Sequence, residues 1–315
     1  MAASLARFVS SVRPAATAGR SSMSTLGTVL ADAAADIPAK DILRDLSQGY
    51  KWTLGDFDRH ATALASGLLE LGFAKGDVVA AWLPNNAENC VVQLAAAKGG
   101  FLLHQVDAGA AKETVTAAAA GAAVLIFDPA LEAAAAAEIN MDHLGTRTYQ
   151  SDPSWAAHVE TPRIAGLAER GDAQTKAAVS SLGATLAITT GWERVEGMHN
   201  LRHVMCYGGE NAAFPVDAAA VGAGDAAVVS FGADGTKTGP LTHKQVLDSG
   251  AKLAKEAALL STDTGVLAAP SVAGLAASLT SLARLVLPSA TDGAEAAAAA
   301  EGATVMIGSA GAQRL

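Results

Sequence analysis

Residues 52–100 read WTLGDFDRHATALASGLLELGFAKGDVVAAWLPNNAENCVVQLAAAKGG, and they alternate between helical and strand patterns. Thr53 predicts a helix N-cap with Asp56 as its capping-box partner, and apolar residues at helical spacing follow as far as Gly72. A buried strand is predicted at 77–83 and a second helix at 87–98. The stretch therefore predicts helices that alternate with strands buried on both faces.

The same alternation continues along the chain. We predict strands at 101–106, 123–127 and 185–190 and helices at 112–120 and 131–139. Alternation of this kind predicts an α/β fold with a mostly parallel, doubly wound sheet in three layers. The expected organisation is an N-terminal segment 1–25, a first α/β lobe 26–150, a connection 151–183 and a second α/β lobe 184–315.

Composition excludes several classes of function. The 315 residues carry a net charge of −9, which argues against nucleic acid as a partner. The two cysteines, Cys90 and Cys206, lie far apart in apolar contexts, and this favours two free buried thiols over a disulfide or a metal site. No run of about 18 apolar residues occurs, so we predict no membrane span.

The first 31 residues differ in kind from the rest. They contain Arg7, Arg13 and Arg20 but no acidic residue, and their apolar residues fall at helical spacing. An amphipathic, arginine-bearing and acid-free start is typical of a mitochondrial presequence, and the alternative is a disordered tail. We therefore expect residues 1–25 to be a transit peptide and the mature chain to begin between residues 20 and 27.

Residues 230–243, SFGADGTKTGPLTH, form the candidate phosphate-binding stretch. They separate a strand-like run at 226–229 from a helix-like run at 244–260, and a small-residue loop in that position can cradle a phosphate with its backbone N–H groups. The candidate binding residues are Gly232, Ala233, Asp234, Gly235, Thr236, Lys237, Thr238 and Gly239.

Several ordered segments together resemble the adenylate-forming enzymes, the acyl-CoA synthetases and their relatives. Residues 52–100 resemble the opening of these enzymes, and residues 201–210 resemble a strand just upstream of their phosphate loop. Their loop signature runs approximately YTSGTTGxPKGVxLTH, and Gly232, Gly235 and Gly239 match its glycines. The resemblance implies the first part of the acyl-CoA synthetase large domain. The segment that holds adenine and the C-terminal domain of the family have no counterpart in this sequence.

The residues that do chemistry in the family are replaced. The paired threonine hydroxyls become Ala233 and Asp234, and the Pro-Lys pair becomes Lys237 and Thr238. A carboxylate repels a triphosphate, and an absent hydroxyl donates no hydrogen bond. We therefore expect a degenerate phosphate loop, no catalytic residue, no bound cofactor and no enzymatic activity.

Other polar constellations have simpler interpretations. Thr242 and His243 are either a donor pair or, as we favour, a helix cap beside a packed histidine. Asp225 and Asp234 are too few to hold Mg²⁺, and His199 with His203 straddle a turn and a strand. We predict no metal site.

Three functions remain open. The favoured one is a non-catalytic structural subunit of a mitochondrial complex, because composition and mass resemble the green-algal subunits of the ATP synthase peripheral stalk. That interpretation implies other protein subunits as partners and a location on the matrix side, peripheral to the inner membrane. The alternatives are an acyl-CoA synthetase-like ligase and a regulatory module that binds nucleotide or acyl-CoA.

Overall fold

The structure is a computed structural model that describes residues 24–70, 73–120, 122–127, 186–189, 216–289, 293–308 and 311–315. The strands are β1 Asp41–Asp45, β2 Tyr50–Thr53, β3 Val78–Trp82, β4 Leu102–Val106, β5 Val124–Phe127, β6 Leu186–Thr189, β7 Ala226–Phe231, β8 Lys237–Thr242, β9 Thr264–Leu267, β10 Arg284–Leu287, β11 Val305–Gly308 and β12 Gly311–Arg314. The helices are α1 Leu26–Asp36, α2 Leu54–Glu70, α3 Ala87–Gly99, α4 Lys112–Ala119, α5 His243–Glu256, α6 Val272–Ser281 and α7 Gly293–Glu301, with a short 3-10 helix at Ala218–Ala220.

These strands form two six-stranded sheets. Sheet A has the order β12-β11-β9-β10-β1-β2, and sheet B has the order β6-β5-β3-β4-β7-β8. The inner strands of each sheet are parallel, whereas β2, β8 and β12 pair antiparallel at the edges. The predicted α/β class with mostly parallel strands is confirmed, but there are two sheets where we expected one.

The two sheets share a middle layer of helices. Successive residues of β3 point to opposite faces, so that Val79 and Ala81 join the core between the sheets while Ala80 and Trp82 face outward. The middle core also contains apolar residues from α1, α2, α3, α5 and α6. Helix α4 covers the outer face of sheet B, and α7 covers the outer face of sheet A. Each sheet therefore has helices on both faces, as the predicted three-layer arrangement requires, and the two sheets share the helices between them.

Local sequence signals place α2 and α3 as predicted. The Thr53 hydroxyl accepts from the Asp56 N–H, and the Asp56 carboxylate accepts from the Thr53 N–H, which completes the capping box. Helix α3 begins after its N-cap Asn86 and ends at Gly100, whose φ of 72° lies in the left-handed region. Helix α1 and strand β1, which precede these elements, were not predicted.

The two predicted lobes are interleaved in the sheets. In sheet A, β1 of the first predicted lobe pairs with β10 of the second lobe, and Leu43 lies opposite Leu285. In sheet B, β4 pairs with β7, and Leu103 lies opposite Val228. The boundaries 26–150 and 184–315 remain a prediction, since the connection 151–183 lies outside the described residues.

Among the described residues, no helix has the length and apolar character needed to cross a membrane. The predicted transit peptide 1–25 falls almost entirely outside them, as do Cys206, His199 and His203. Cys90 is a free buried thiol, as expected, and burial raises its pKa.

Candidate phosphate-binding hairpin

The candidate phosphate-binding stretch is a β-hairpin. Strands β7 and β8 pair antiparallel, and residues 232–236 form the turn between them. The turn follows the carboxyl end of β7, at the same edge of sheet B where β3, β4 and β5 also end. Ligands of open α/β sheets bind outside this edge. The predicted strand-to-helix loop is therefore wrong, because residues 237–242 pair with β7 before the helix begins.

The hairpin accounts for two of the three glycines that match the family signature. Gly235 has a φ of +81° within the turn. Gly239 has a φ of +109°, and a Cβ there would lie 2.7 Å from the Val228 carbonyl oxygen. Strand pairing alone thus requires glycine at 239.

The amides of the turn donate to acceptors within the turn itself. The Gly232 N–H donates to the Thr236 carbonyl at 2.8 Å, and the Gly235 N–H donates to the Gly232 carbonyl at 3.0 Å. The Thr236 N–H donates to Asp234 Oδ1 at 2.9 Å. A Cβ at Gly232 would lie 2.8 Å from that same carboxylate oxygen. An internal carboxylate therefore occupies the side of the turn near Gly232 and Thr236.

The hydrogen bonds that the Asp234 carboxylate accepts from Thr236 lower the pKa of Asp234, so the carboxylate is ionised at neutral pH. A phosphate that approached this turn would meet a negative charge, and the amides of Gly232, Gly235 and Thr236 already have acceptors. The loss of phosphate binding expected from the sequence stays a prediction.

The one lysine of the hairpin lies over an aromatic ring. Lys237 Nζ is 5.4 Å from the centroid of Phe231, and the Phe231 ring is 5.2 Å from that of His104. His104 Nδ1 lies 2.7 Å from the Ala118 carbonyl of α4. Burial is the main cause that lowers the pKa of His104, and Lys237 adds to it. This aromatic and basic cluster belongs to the outer face of sheet B and was not predicted.

The N-terminus of α5 is closed by protein acceptors. Thr242 Oγ1 accepts from the Gln245 N–H at 3.2 Å in a complete capping box. The His243 and Lys244 N–H groups donate to the carbonyls of Asp225 and Ala223. His243 is buried, and burial lowers its pKa to about 4. The interpretation of Thr242 and His243 as a cap beside a packed histidine is confirmed.

Asp225 is engaged in structural contacts. Its carboxylate lies 2.6 Å from Lys75 Nζ and accepts from the Gly222 N–H at 2.6 Å. The hydrogen bond from Lys75 is the main cause that lowers the pKa of Asp225. Within the described part of the chain, no three His, Cys, Asp or Glu side chains are grouped as metal ligands.

Two polar features near the carboxyl ends of the strands were missed in the sequence. Asp45, the last residue of β1, is fully buried, and its Oδ2 accepts from the Ala87 N–H at 2.8 Å, which links sheet A to α3. Gln105 lies on β4 with 6% of its surface exposed. Gln105 could have been noticed in the sequence, because it is a polar residue within the buried strand predicted at 101–106.

The family model of the AMP-binding enzymes matches residues 30–213. The chain is 34% identical over 83 residues to the medium-chain acyl-CoA ligase ACSF2, mitochondrial, of Macaca fascicularis. The aligned residues cover 26% of this chain and 13% of the macaque protein. Among solved structures, the N-terminal domain of FACL13 from Mycobacterium tuberculosis superposes with a TM-score of 0.59 at 19% identity. The superposition covers 84% of this chain and 57% of the FACL13 chain. The long-chain-fatty-acid-CoA ligase FadD1 from Archaeoglobus fulgidus has a TM-score of 0.63 at 16% identity, with coverages of 90% and 51%. At these identities the two structures show the fold alone, and the chain spans little more than half of each.

These findings confirm the predicted relationship to acyl-CoA synthetases. They contradict the favoured function as a peripheral-stalk subunit of the ATP synthase, because the matching family is that of the AMP-binding enzymes and the macaque relative is named an acyl-CoA ligase. That interpretation was based on composition and mass. Neither quantity specifies a fold, whereas the ordered motifs at 52–100 do, and they lie within the residues that the family model matches.

Proposed function

This chain belongs to the AMP-binding enzyme family, and we propose that it forms the acyl- and nucleotide-binding part of an acyl-CoA synthetase-like ligase. The observation that supports this function most is the match of the AMP-binding enzyme family over residues 30–213. The turn at residues 232–236 adds to it, because the turn lies at the carboxyl edge of a parallel sheet, where α/β proteins bind ligands. The macaque relative is named a medium-chain acyl-CoA ligase, so medium-chain fatty acids are the proposed substrates.

The proposed reaction joins the fatty-acid carboxylate to the α-phosphate of ATP and releases pyrophosphate. Its rate depends on a metal-bound triphosphate that is held in line with the carboxylate and neutralised there. The hydroxyl donors expected from the family signature are replaced by Ala233 and Asp234 in this hairpin. The main role proposed for this chain is therefore acyl binding with weak use of ATP.

Asp234 also favours a second candidate function, a pseudoenzyme that binds acyl-CoA or nucleotide for regulation. Its ionised carboxylate takes the acceptor role that a phosphate oxygen would take at the Thr236 amide. A domain with this turn can retain an acyl pocket after it has lost adenylation. The two candidates differ in whether pyrophosphate is exchanged.

One pair of assays separates these candidates. ATP–pyrophosphate exchange is measured with fatty acids from hexanoate to dodecanoate, and melting temperature is measured with and without millimolar ATP, fatty acid or acyl-CoA. Exchange above background supports the ligase. Stabilisation by acyl-CoA without exchange supports the regulatory module, and the absence of both rejects the proposed function.

We also propose a mitochondrial location. The basic and acid-free residues 1–25 support it, together with the mitochondrial designation of the macaque relative. Mass spectrometry of the N-terminus of the native protein tests this: a start between residues 20 and 27 supports import, and an intact Met1 rejects it. The expected association with other protein subunits stays a prediction, which a native gel of solubilised mitochondria tests.

A further inference from the structure

Strand β12 forms one edge of sheet A, and some of its backbone groups face outward from the sheet. It pairs antiparallel with β11, and among the described residues no strand pairs with its other side. The Leu315 N–H donates to the Thr304 carbonyl at 2.9 Å, so Leu315 faces β11. Because the hydrogen-bonding groups of successive residues in a strand point to opposite sides, those of Ala312 and Arg314 point away from β11. A further strand can therefore pair with Ala312 and Arg314.

Two other edge strands with described side chains, β2 and β8, carry features that oppose pairing with a further strand. Strand β2 has the exposed Lys51 and a register shift against β1. Strand β8 has the exposed Lys237 and Pro240 and two register shifts against β7. Lysine, proline and bulges are the usual means by which proteins protect a sheet edge. Strand β12, with the sequence GAQR and a continuous register against β11, has none of these.

The charged side chain of β12 is already held within the chain. Arg314 Nη1 donates to the carbonyls of Ala257 and Ala258, which follow α5, at 3.0 and 2.9 Å. Arg314 Nη2 lies 3.2 Å from Asp263 Oδ1 in an ion pair. Because the carboxylate balances the guanidinium, a second strand that carries its own Arg314 would meet little electrostatic repulsion at this edge.

Two exposed leucines lie beside the same edge. Leu260 and Leu315 are 58% and 61% exposed, the highest values among the large apolar side chains of the described residues. Leu315 follows β12 directly, and the Leu260 N–H donates to the Asp263 carboxylate that holds Arg314. Apolar side chains of this size gain free energy when a partner removes them from water.

We propose that the outer edge of β12 is an interface with a second copy of this chain, in which the two β12 strands pair antiparallel about a two-fold axis. The pairing joins two six-stranded copies of sheet A into one continuous sheet. It satisfies the outward backbone groups of β12 and brings the exposed leucines of each copy toward the other. This interface is separate from the candidate phosphate-binding hairpin in sheet B and does not depend on the proposed function.

The groups that face outward determine the register of this pairing. Ala312 pairs with Arg314 of the second copy, and Gln313 then lies opposite Gln313 of the second copy at the two-fold axis. A carboxamide both donates and accepts, so these two exposed side chains are complementary to each other. The edge is therefore complementary to itself, and this favours a second copy over a strand of another protein.

Analytical ultracentrifugation of the full chain tests the association. Between about 1 and 100 μM we expect a concentration-dependent shift from the 31.5 kDa monomer to twice that mass. Gln313→Lys places two like charges opposite each other at the axis and should raise the dimer Kd roughly fivefold or more. Ala117→Lys, which adds the same charge to an exposed position on α4, is the matched control and keeps the original Kd. A chain that stays monomeric, or an unchanged Kd in Gln313→Lys, overturns the proposal.

A disulfide test locates the interface. Opposed Cα atoms in a non-hydrogen-bonded antiparallel pair lie about 4.5 Å apart, within the range that a disulfide spans. Gln313→Cys treated with diamide should therefore form a covalent dimer on a non-reducing gel, whereas Ala117→Cys and the original chain should not. A dimer in solution without this cross-link overturns the register. A cross-link from Gln313→Cys to a different protein in a mitochondrial lysate, with no dimer of the chain, overturns the choice of a second copy.

Discussion

Two backbone segments at the carboxyl edge of sheet B are capped by aspartates, and the two caps differ in burial. At the start of α3, Asp45 accepts from the Ala87 N–H at 2.8 Å and is fully buried. In the hairpin turn, Asp234 accepts from the Thr236 N–H at 2.9 Å and is exposed. The bond lengths are nearly equal, so the surroundings decide what each bond contributes.

A buried acceptor is needed for stability because its donors have no water to replace it. An exposed acceptor competes with water at little cost, so its removal leaves the fold unchanged and alters only what the amide can bind. We therefore assign Asp45 to the stability of the fold and Asp234 to the control of the site. Measurements on Asp45, Thr242 and Asp234 test this division, and a fourth measurement, on His243, tests the effect of burial on a titratable side chain.

The largest expected effect is that of Asp45→Ala. Loss of the carboxylate leaves the buried Ala87 N–H without an acceptor and removes the bonds from Ser47 Oγ and the Gln48 N–H. We expect the free energy of unfolding in urea to fall by about 3 kcal/mol. Asp45→Asn keeps one carbonyl acceptor and should lose less. A loss below about 1 kcal/mol in Asp45→Ala contradicts the assignment.

The second effect is a pH dependence from His243. Burial lowers its pKa to about 4, with Lys75 as a smaller contribution and Asp225 in opposition. The unfolded chain, with an ordinary pKa near 6.5, then binds more protons between these values, and stability is lost as pH falls through that window. We expect a loss of about 2.5 kcal/mol from this residue between pH 7.5 and 4.5.

His243→Asn removes the titration and isolates the contribution of His243. Urea unfolding at pH 7.5 and 4.5 should show a smaller loss in the variant than in the original chain. His104, whose pKa is also lowered, is present in both proteins and cancels in the comparison. Equal losses in the two proteins would show that His243 is not the group responsible.

A smaller effect is expected at the partly exposed cap of α5. Thr242→Ala removes the acceptor of the Gln245 N–H and should reduce stability by about 1 kcal/mol, typical of an N-cap. Gln245→Ala removes the reciprocal bond to the Thr242 N–H and should cost less. If Thr242→Ala costs as much as Asp45→Ala, burial does not explain the difference between the caps.

The smallest effect on stability is expected at Asp234. Asp234→Ala should have the same melting temperature as the original chain. Its affinity for ATP should rise roughly fivefold at low salt, because one repulsive charge is removed. Asp248→Asn removes an exposed carboxylate on α5 and is the control. Thermal shift with ATP measures both quantities. Unchanged affinity for ATP in Asp234→Ala refutes the assignment of Asp234 to the site.

Elements with a local signal were predicted well. The capping box at Thr53 and Asp56 marks the start of α2, and Gly99 with Gly100 marks the end of α3. The division into two sheets was not predicted, because a buried strand has the same pattern whichever neighbour it pairs with. Pairing is decided by packing against helices that are distant in sequence.

The sequence identified the residues of the candidate site, but it did not predict that they form a hairpin. Residues 237–240 are exposed and lack apolar alternation, so nothing local marks them as a strand. Their pairing follows from the antiparallel contact with β7. The role of Asp234 within the turn also depended on this hairpin, since the sequence alone predicted repulsion of phosphate and not an internal bond to Thr236.

The interleaved strands of sheet A set an order of events during synthesis. Strands β1 and β2 leave the ribosome early, but β1 reaches its parallel neighbour only when β10 has been made. At about 5–20 residues per second, the intervening chain takes roughly 10–50 s to appear. During that interval, the β1–β2 pair presents an unpaired edge on a growing polypeptide, and a chaperone that shields it would act on this segment first.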